Sequence, residues 1–275
     1  MAMLADFAYG VYVNMNGLNN MRTIEKLALQ CSSLIESSSG LLTQGISSGV
    51  ITPGAPEMEI PLEEDVTIFF KVDDENAKFN IINLVGPNRK YNKNEDDDKF
   101  AYESFKRLLR ALKLDESIAD KIIDWMDPDN LPMSSGNEKG AKNALPDSIA
   151  ELKLFLPQAA YATLEPYITI YSNKNELYGL ININTASIPV LMSLSEDIDE
   201  EMASRIITRK EKEPFKEKIH LEQIIGEGNA SGFIEYISLD SSAYNLKARA
   251  EENGIKKVIE AVTDTHGKIL YWRET

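Results

Sequence analysis

The stretch Ile122-Ile123-Asp124-Trp125-Met126-Asp127-Pro128-Asp129-Asn130 ends a predicted helix with three carboxylates in six positions. Carboxylates this close repel one another strongly where the effective dielectric is low. They must therefore be solvated, shift their pKa values or bind a cation. Pro, Asp and Asn also favour a plain helix end. The residues alone leave open a helix stop, a metal site and acid catalysis, and contiguous acids without a nearby base suit catalysis poorly.

Binding of a hard cation is the most specific of these hypotheses. Calcium takes several oxygen ligands from a flexible loop, and Asp127 to Glu138 has the length of an EF-hand loop. Leu131 and Pro132 stand where an EF-hand needs an oxygen ligand and a glycine, so a different loop is expected. Backbone carbonyls and water would complete its shell. The predicted side-chain ligands of Ca²⁺ are Asp124, Asp127, Asp129 and Glu138.

The acidic stretch lies within a segment of helical patterns that follows a polar linker beginning at Gly86. Ser117-x-x-Asp120 and Ser148-x-x-Glu151 have the form of capping boxes, and Asp199 is placed to begin another helix. The Asn pairs Asn80/Asn83 and Asn182/Asn184 flank the segment. They are predicted to satisfy backbone groups where strands enter it. Trp125 is expected to pack in the core or the loop, with ligand stacking as the lesser alternative.

Both ends of the chain have different patterns. Residues 4–38 carry apolar side chains at helical spacing and are predicted to form a long amphipathic helix ending at Ser37 to Gly40. Residues 66–72 and 79–85 are predicted to pair as a hairpin. Further strands are predicted over 233–239, 243–249, 256–262 and 268–273.

These patterns predict an α+β protein interrupted by a large insertion. The expected domains are residues 1–85 and 226–275, which together form one α+β body, and residues 86–225, which form an inserted all-α domain.

Composition argues against several functions. The chain has 275 residues, with 29 Lys plus Arg against 44 Asp plus Glu and a net charge of −15, which opposes a phosphate backbone as partner. Residues 185–228 have the outline of a helix-hairpin-helix DNA-binding module, but the hairpin at 195–201 lacks glycine and is acidic. The unit is therefore predicted to be structural. Cys31 has no disulfide partner, and the two histidines have no partner at metal spacing.

Several motifs occur together in a specific order. They are Phe79 to Leu84, Asp124-Trp125-Met126-Asp127-Pro128-Asp129, Gly136-x-Glu138, Ile181 to Ala186 and Tyr271-Trp272-Arg273. In this combination the chain resembles the minor pseudopilin K family of bacterial type II secretion systems, over nearly its whole length.

The resemblance implies a type IV pilin-like fold, with a long N-terminal helix on an antiparallel sheet and a large inserted helical domain. It implies a non-enzymatic protein that joins the minor pseudopilins I and J in a complex capping the pseudopilus tip, with calcium bound in the helical domain. It also implies a periplasmic location, with anchoring in the inner membrane through a part of the N-terminal helix that this chain lacks. A nucleic-acid-binding protein and a calcium-dependent enzyme are the alternatives.

The chain departs from the family pattern after the acidic stretch. The family has Gly-Ala-Glu-Asp followed by tyrosines, whereas this chain has Gly136-Asn137-Glu138-Lys139. Lys139 replaces a carboxylate, which weakens the case for a second calcium ion and for tight binding of the first.

Overall fold

The computed structural model describes residues 2–63, 66–85, 95–137, 139–171, 179–226 and 230–275. Over these residues the α-helices are α1 (Ala2–Ser47), α2 (Glu95–Ala111), α3 (Ser117–Met126), α4 (Gln158–Leu164), α5 (Ile188–Leu194), α6 (Glu200–Lys212) and α7 (Ile219–Ile225). The strands are β1 (Met58–Glu63), β2 (Val66–Asp74), β3 (Phe79–Asn80), β4 (Ile168–Thr169), β5 (Ile181–Asn182), β6 (Ile237–Ser238), β7 (Ala243–Glu252), β8 (Ile255–Asp264) and β9 (Ile269–Glu274). They form two compact units, residues 1–73 with 244–275 and residues 74–243.

The first unit is built from both ends of the chain. Its five-stranded sheet has the order β1-β2-β7-β8-β9, and the outer pairs β1/β2 and β8/β9 are antiparallel. Helix α1 packs on this sheet through a face that includes Leu27, Cys31, Ile35 and Leu42, all at most 1% exposed. A long helix on a sheet confirms the expected α+β class. Burial raises the pKa of the Cys31 thiol.

Helix α1 extends further than its sequence predicts. The serines and glycine at 37–40 do not end it, and it continues to Ser47. Leu42 carries the buried face beyond Gly40, and the Thr43 hydroxyl donates to the Thr265 carbonyl at 2.7 Å. Tertiary contacts thus outweigh the low helix propensity of glycine and serine here.

The predicted hairpin between residues 66–72 and 79–85 is wrong. Strand β2 instead pairs with β1, whose Ile60 lies opposite Ile68, in a segment with loop-like composition. Phe79 and Asn80 pair in parallel with Ile168 and Thr169 in the second unit. The alternating pattern identified a strand correctly but could not identify its partner, which depends on which apolar face is available.

The second unit has its own apolar core, and its borders differ from the expected ones. The unit begins at Asp74 and ends at Ala243, rather than at 86 and 225. Phe79 packs on Phe105 of α2 with ring centroids 5.1 Å apart, and Phe233 and Ile237 are buried in the same core. The flanking segments therefore belong with the helices that cover their apolar side chains.

The C-terminal strand predictions are mostly confirmed. The predicted strands at 243–249, 256–262 and 268–273 lie almost entirely within β7, β8 and β9. The predicted strand at 233–239 is instead a 3₁₀ turn at Ile234–Tyr236 followed by the short β6.

Candidate functional site

Helix α3 buries acidic side chains as well as apolar ones. Asp120 and Asp124 lie one turn apart and are 5% and 0% exposed, while Asp127, the C-cap residue, is 2% exposed. Buried acids are rare unless they are paired or hydrogen-bonded. The interactions of each carboxylate therefore indicate what the cluster does.

The loop after α3 folds back onto two of these acids. Asp120 accepts hydrogen bonds from the Tyr102 hydroxyl at 2.8 Å and from the Ser135 N–H at 2.9 Å. Asp124 Oδ1 accepts the Met133 N–H at 2.9 Å. Burial and the bond to Asp120 raise the pKa of Tyr102 to about 12. Asp120 therefore bonds to the loop and not to the start of its own helix. The capping box predicted for Ser117-x-x-Asp120 is wrong, because Asp115 accepts the Ser117 N–H instead.

Gly136 makes this close approach possible. A Cβ atom at this position would lie 1.8 Å from Asp124 Oδ2, far inside van der Waals contact. Glycine is therefore required because the loop backbone lies directly over the carboxylate.

Some buried oxygens near this loop lack a hydrogen-bond partner among the described residues, and two of these oxygens bear on the site. They are Asp124 Oδ2 and Asn143 Oδ1. Asn143 has a left-handed backbone, with φ of 51°, and its N–H donates to the Trp125 carbonyl at 3.1 Å. Its side-chain amide also donates to the carbonyl of Asp129 at 3.1 Å. Leaving a carboxylate oxygen both buried and unpaired is costly, so the Asp124 oxygen fits the donor chemistry of a hard cation.

The four predicted ligands have different environments. Asp124 and Asp127 are buried at the end of α3, whereas Asp129 is exposed and its Oδ1 accepts the Leu131 N–H at 2.9 Å in a turn. Glu138 lies outside the described residues. Among the residues that the structure describes, no group of three or more His, Cys, Asp or Glu side chains is arranged to hold a metal ion. Asn143 was not among the predicted site residues, although Asn is favoured where a residue other than glycine adopts a left-handed backbone.

A second polar cluster occupies the ends of the inserted unit. Asp74 is 3% exposed, and its Oδ1 accepts the Asn76 N–H at 2.8 Å. Its Oδ2 accepts the Asn182 amide at 3.1 Å and the hydroxyls of Thr185 and Ser241. Burial raises the pKa of Asp74, and these hydrogen bonds oppose the shift. The predicted hairpin placed residue 74 between its two strands, and sequence patterns gave no sign of this role.

The Asn pairs satisfy backbone groups, as predicted. Asn80 Oδ1 accepts the Ile82 N–H, and Asn83 bonds both the N–H and the carbonyl of Gly179. Asn184 accepts the Phe215 N–H at 2.7 Å and donates to the carbonyl of Leu239 at 3.0 Å. These side chains tie distant segments of the unit together.

The predicted helical hairpin is formed by α5 and α6. Asp199 caps α6 by accepting the Met202 N–H at 2.8 Å, as expected. Glu200 and Glu201 occupy the first turn of α6. Negative side chains at this helix end would repel phosphate groups.

Helix α1 has a segment in which apolar side chains are left unpacked. All residues from 13 to 22 are exposed, including Val13, Met15, Leu18 and Met21, which are between 48% and 64% exposed. No described helix is long and apolar enough to cross a membrane. Exposed apolar side chains concentrated in one segment mark an interaction surface.

A long helix on a sheet built from both chain ends, with a helical unit inserted, defines a pilin-like α+β protein. Sequence models of the family described as type II secretion system (T2SS), protein K match residues 77–173 and 181–226. Together these matches cover more than half of the chain. The chain therefore belongs to the type II secretion system protein K family.

Individual relatives agree with this assignment. The type II secretion system protein K of Pseudomonas aeruginosa is 29% identical over 204 residues, which are 66% of this chain and 56% of that protein. A chain in the crystal structure of the GspK-GspI-GspJ complex from the enterotoxigenic Escherichia coli Type 2 Secretion System matches with a TM-score of 0.68 at 16% identity. The match covers 95% of this chain and 99% of that chain, and it shows the shared fold.

Proposed function

We propose that this chain is a minor pseudopilin that acts as a non-enzymatic scaffold at the tip of the pseudopilus. Its partners are the minor pseudopilins I and J, in keeping with the complex in which the related fold was solved. It acts in the periplasm, anchored at the inner membrane. The exposed apolar segment at residues 13–22 of α1 carries this proposal, because a helix with such side chains is stabilised by packing against neighbours.

Co-purification with pseudopilins I and J from the same organism tests the scaffold role. The wild-type chain should elute with both partners as one complex, and Leu18→Glu with Met21→Glu should prevent this. Ile219→Glu is the matched control, since Ile219 is a 53% exposed apolar residue of the second unit and its replacement should leave the complex intact. Separate elution of the wild-type proteins at high micromolar concentration contradicts the proposal.

We further propose that calcium stabilises the loop after α3. Asp124 and Asp127 would hold the ion, and Asp129 and Glu138 remain candidates for the same role. The ion would supply positive charge to buried carboxylates that otherwise lose hydration without full compensation. The unpartnered Asp124 Oδ2 supports this role, because no protein donor uses it among the described residues.

Chelation tests the calcium proposal directly. Addition of EDTA should lower the melting temperature of the wild-type chain, since an ion bound only to the folded state stabilises it. Asp127→Ala and Glu138→Ala should each remove the difference between the two conditions. An unchanged wild-type melting temperature in EDTA would rule out a stabilising calcium ion.

A further inference from the structure

The second unit contains a pocket for which neither the proposed scaffold surface nor the proposed calcium ligands provide a role. It lies between α3, residues 137 and 139–141 of the following loop, and the end of the 3₁₀ helix Ile149–Leu154, and its volume is about 450 Å³. This is within the range of small-ligand pockets. The residues that matter for its chemistry are Lys121, Trp125, Asn137, Lys139, Leu154 and Phe155.

The pocket has a rigid aromatic wall. The rings of Trp125 and Phe155 are stacked, with centroids 5.1 Å apart. The indole N–H of Trp125 lies 3.4 Å from Glu151 Oε2, and Glu151 also accepts a 2.9 Å hydrogen bond from Lys142. The indole is therefore oriented before any ligand arrives, so little side-chain freedom is lost when a ring packs on it.

Two lysines give the pocket a positive charge. Lys121 lies one turn before Trp125 on α3, and Lys139 is on the loop across the pocket. Among the described residues, no carboxylate lies within 4 Å of either ammonium, whereas Lys142 pairs with both Asp147 and Glu151. Within the described residues, two ammonium groups without an ion pair thus stand beside an aromatic wall, in a chain of net charge −15. They select an anionic ligand through local charge complementarity.

We propose that this pocket binds a peptide segment in which an aromatic side chain is flanked by carboxylates. The aromatic side chain would pack on Trp125 and Phe155, and the carboxylates would pair with Lys121 and Lys139. Leu154, which is 73% exposed at the rim, offers apolar surface to the continuing peptide chain. This inference does not depend on the proposed scaffold surface on α1. Because Asn137 and Lys139 flank the proposed calcium ligand Glu138 in the sequence, its tests are made at fixed calcium concentration.

Tryptophan fluorescence can measure binding directly. The chain has two tryptophans, so Trp272→Phe leaves Trp125 as the sole reporter. Acetyl-Glu-Phe-Glu-amide should change the Trp125 emission saturably, at fixed calcium concentration, whereas acetyl-Lys-Phe-Lys-amide should not. Phenylacetate should bind at least about tenfold more weakly than the acidic peptide, because it offers one carboxylate and no peptide chain. Equal binding of the acidic and basic peptides, or binding of phenylacetate as tight as that of the peptide, overturns the proposal.

Lysine variants and salt test the charge contribution. Lys121→Met with Lys139→Met should weaken binding of acetyl-Glu-Phe-Glu-amide by about tenfold, as two partly exposed ion pairs are lost. Lys212→Met is the matched control, because Lys212 is an exposed lysine of the same unit outside the pocket, and it should bind as wild type. Raising NaCl from about 0.05 M to about 0.5 M should weaken wild-type binding, a measurement that needs no variant. Binding that is insensitive to salt, or unchanged in the folded double variant, contradicts the proposal.

Discussion

Asp74 and Asp124 are both buried aspartates of the inserted unit, yet their surroundings differ. Four donors reach the Asp74 carboxylate, from Asn76, Asn182, Thr185 and Ser241. Asp124 receives one described donor, the Met133 N–H, and its Oδ2 has none.

The difference separates a structural carboxylate from one suited to a ligand. Asp74 joins the start of the unit to Ser241 near its end, and protein groups alone compensate its burial. The Asp124 Oδ2 atom has no donor among the described residues, and a cation would supply the missing interaction. Burial by itself therefore does not identify a metal ligand. The unpartnered oxygen is what makes Asp124 the better candidate of the two.

Replacing Asp74 should have the largest effect on stability. Asp74→Ala leaves four buried or partly buried donors without this acceptor, which should cost about 3–5 kcal/mol of unfolding free energy. Urea unfolding followed by Trp125 fluorescence in the Trp272→Phe background measures this. Ser241→Ala removes a single donor and should cost only about 1 kcal/mol. Comparable losses in the two variants would show that Asp74 is not the centre of the cluster.

Calcium should distinguish the two aspartates. At a calcium concentration about 100-fold above Kd, the wild-type unit should gain about 2.7 kcal/mol of unfolding free energy. Asp124→Asn should lose that gain, while Asp74→Asn, although destabilised, should keep it. Urea titrations with calcium and with EDTA measure both increments. A full calcium increment in Asp124→Asn would falsify the assignment of Asp124 as a ligand.

Gly136 tests how closely the loop must approach Asp124. Gly136→Ala places a Cβ against the carboxylate, so we expect a loss of about 1–3 kcal/mol and a reduced calcium increment. Gly232→Ala is the control, because no atom lies within 4 Å of its added Cβ. Thermal melts with and without calcium give both quantities. If the two variants lose the same stability, the contact between Gly136 and Asp124 does not exclude a larger residue at position 136.

The pH dependence should reveal a smaller effect near Asp74. Burial lowers the pKa of Lys210 to about 8, and its ammonium donates to the Ala186 carbonyl at 2.7 Å. Between about pH 8 and the ordinary lysine pKa of 10.5 the unfolded chain binds more protons, so stability from this group rises with pH. Below pH 8 that contribution is lost. Lys210→Met should flatten the rise in urea experiments over this window, and an unchanged slope would contradict the shift.

Sequence patterns predicted where strands lie better than they predicted which strands pair. The alternating residues of β2 and the C-terminal strands β7 to β9 could be recognised locally, because side chains in a strand alternate between two faces. The pairing of β2 with β1 could not, since β1 contains Pro61 and lies in a segment of loop-like composition. The end of α1 was missed for a related reason: contacts of Leu42 and Thr43 decide it.

The sequence by itself determined the α+β class, the helical insertion, the backbone role of the asparagines and the acidic end of α3, because these follow from periodicity, turn chemistry and local charge. Only the tertiary structure decided the borders of the insertion and the different states of the buried acids. It gave Asp74 four donors, closed Gly136 onto Asp124 and exposed Asp129 in a turn. Such differences depend on which groups distant segments bring to each carboxylate, and no local pattern contains that information.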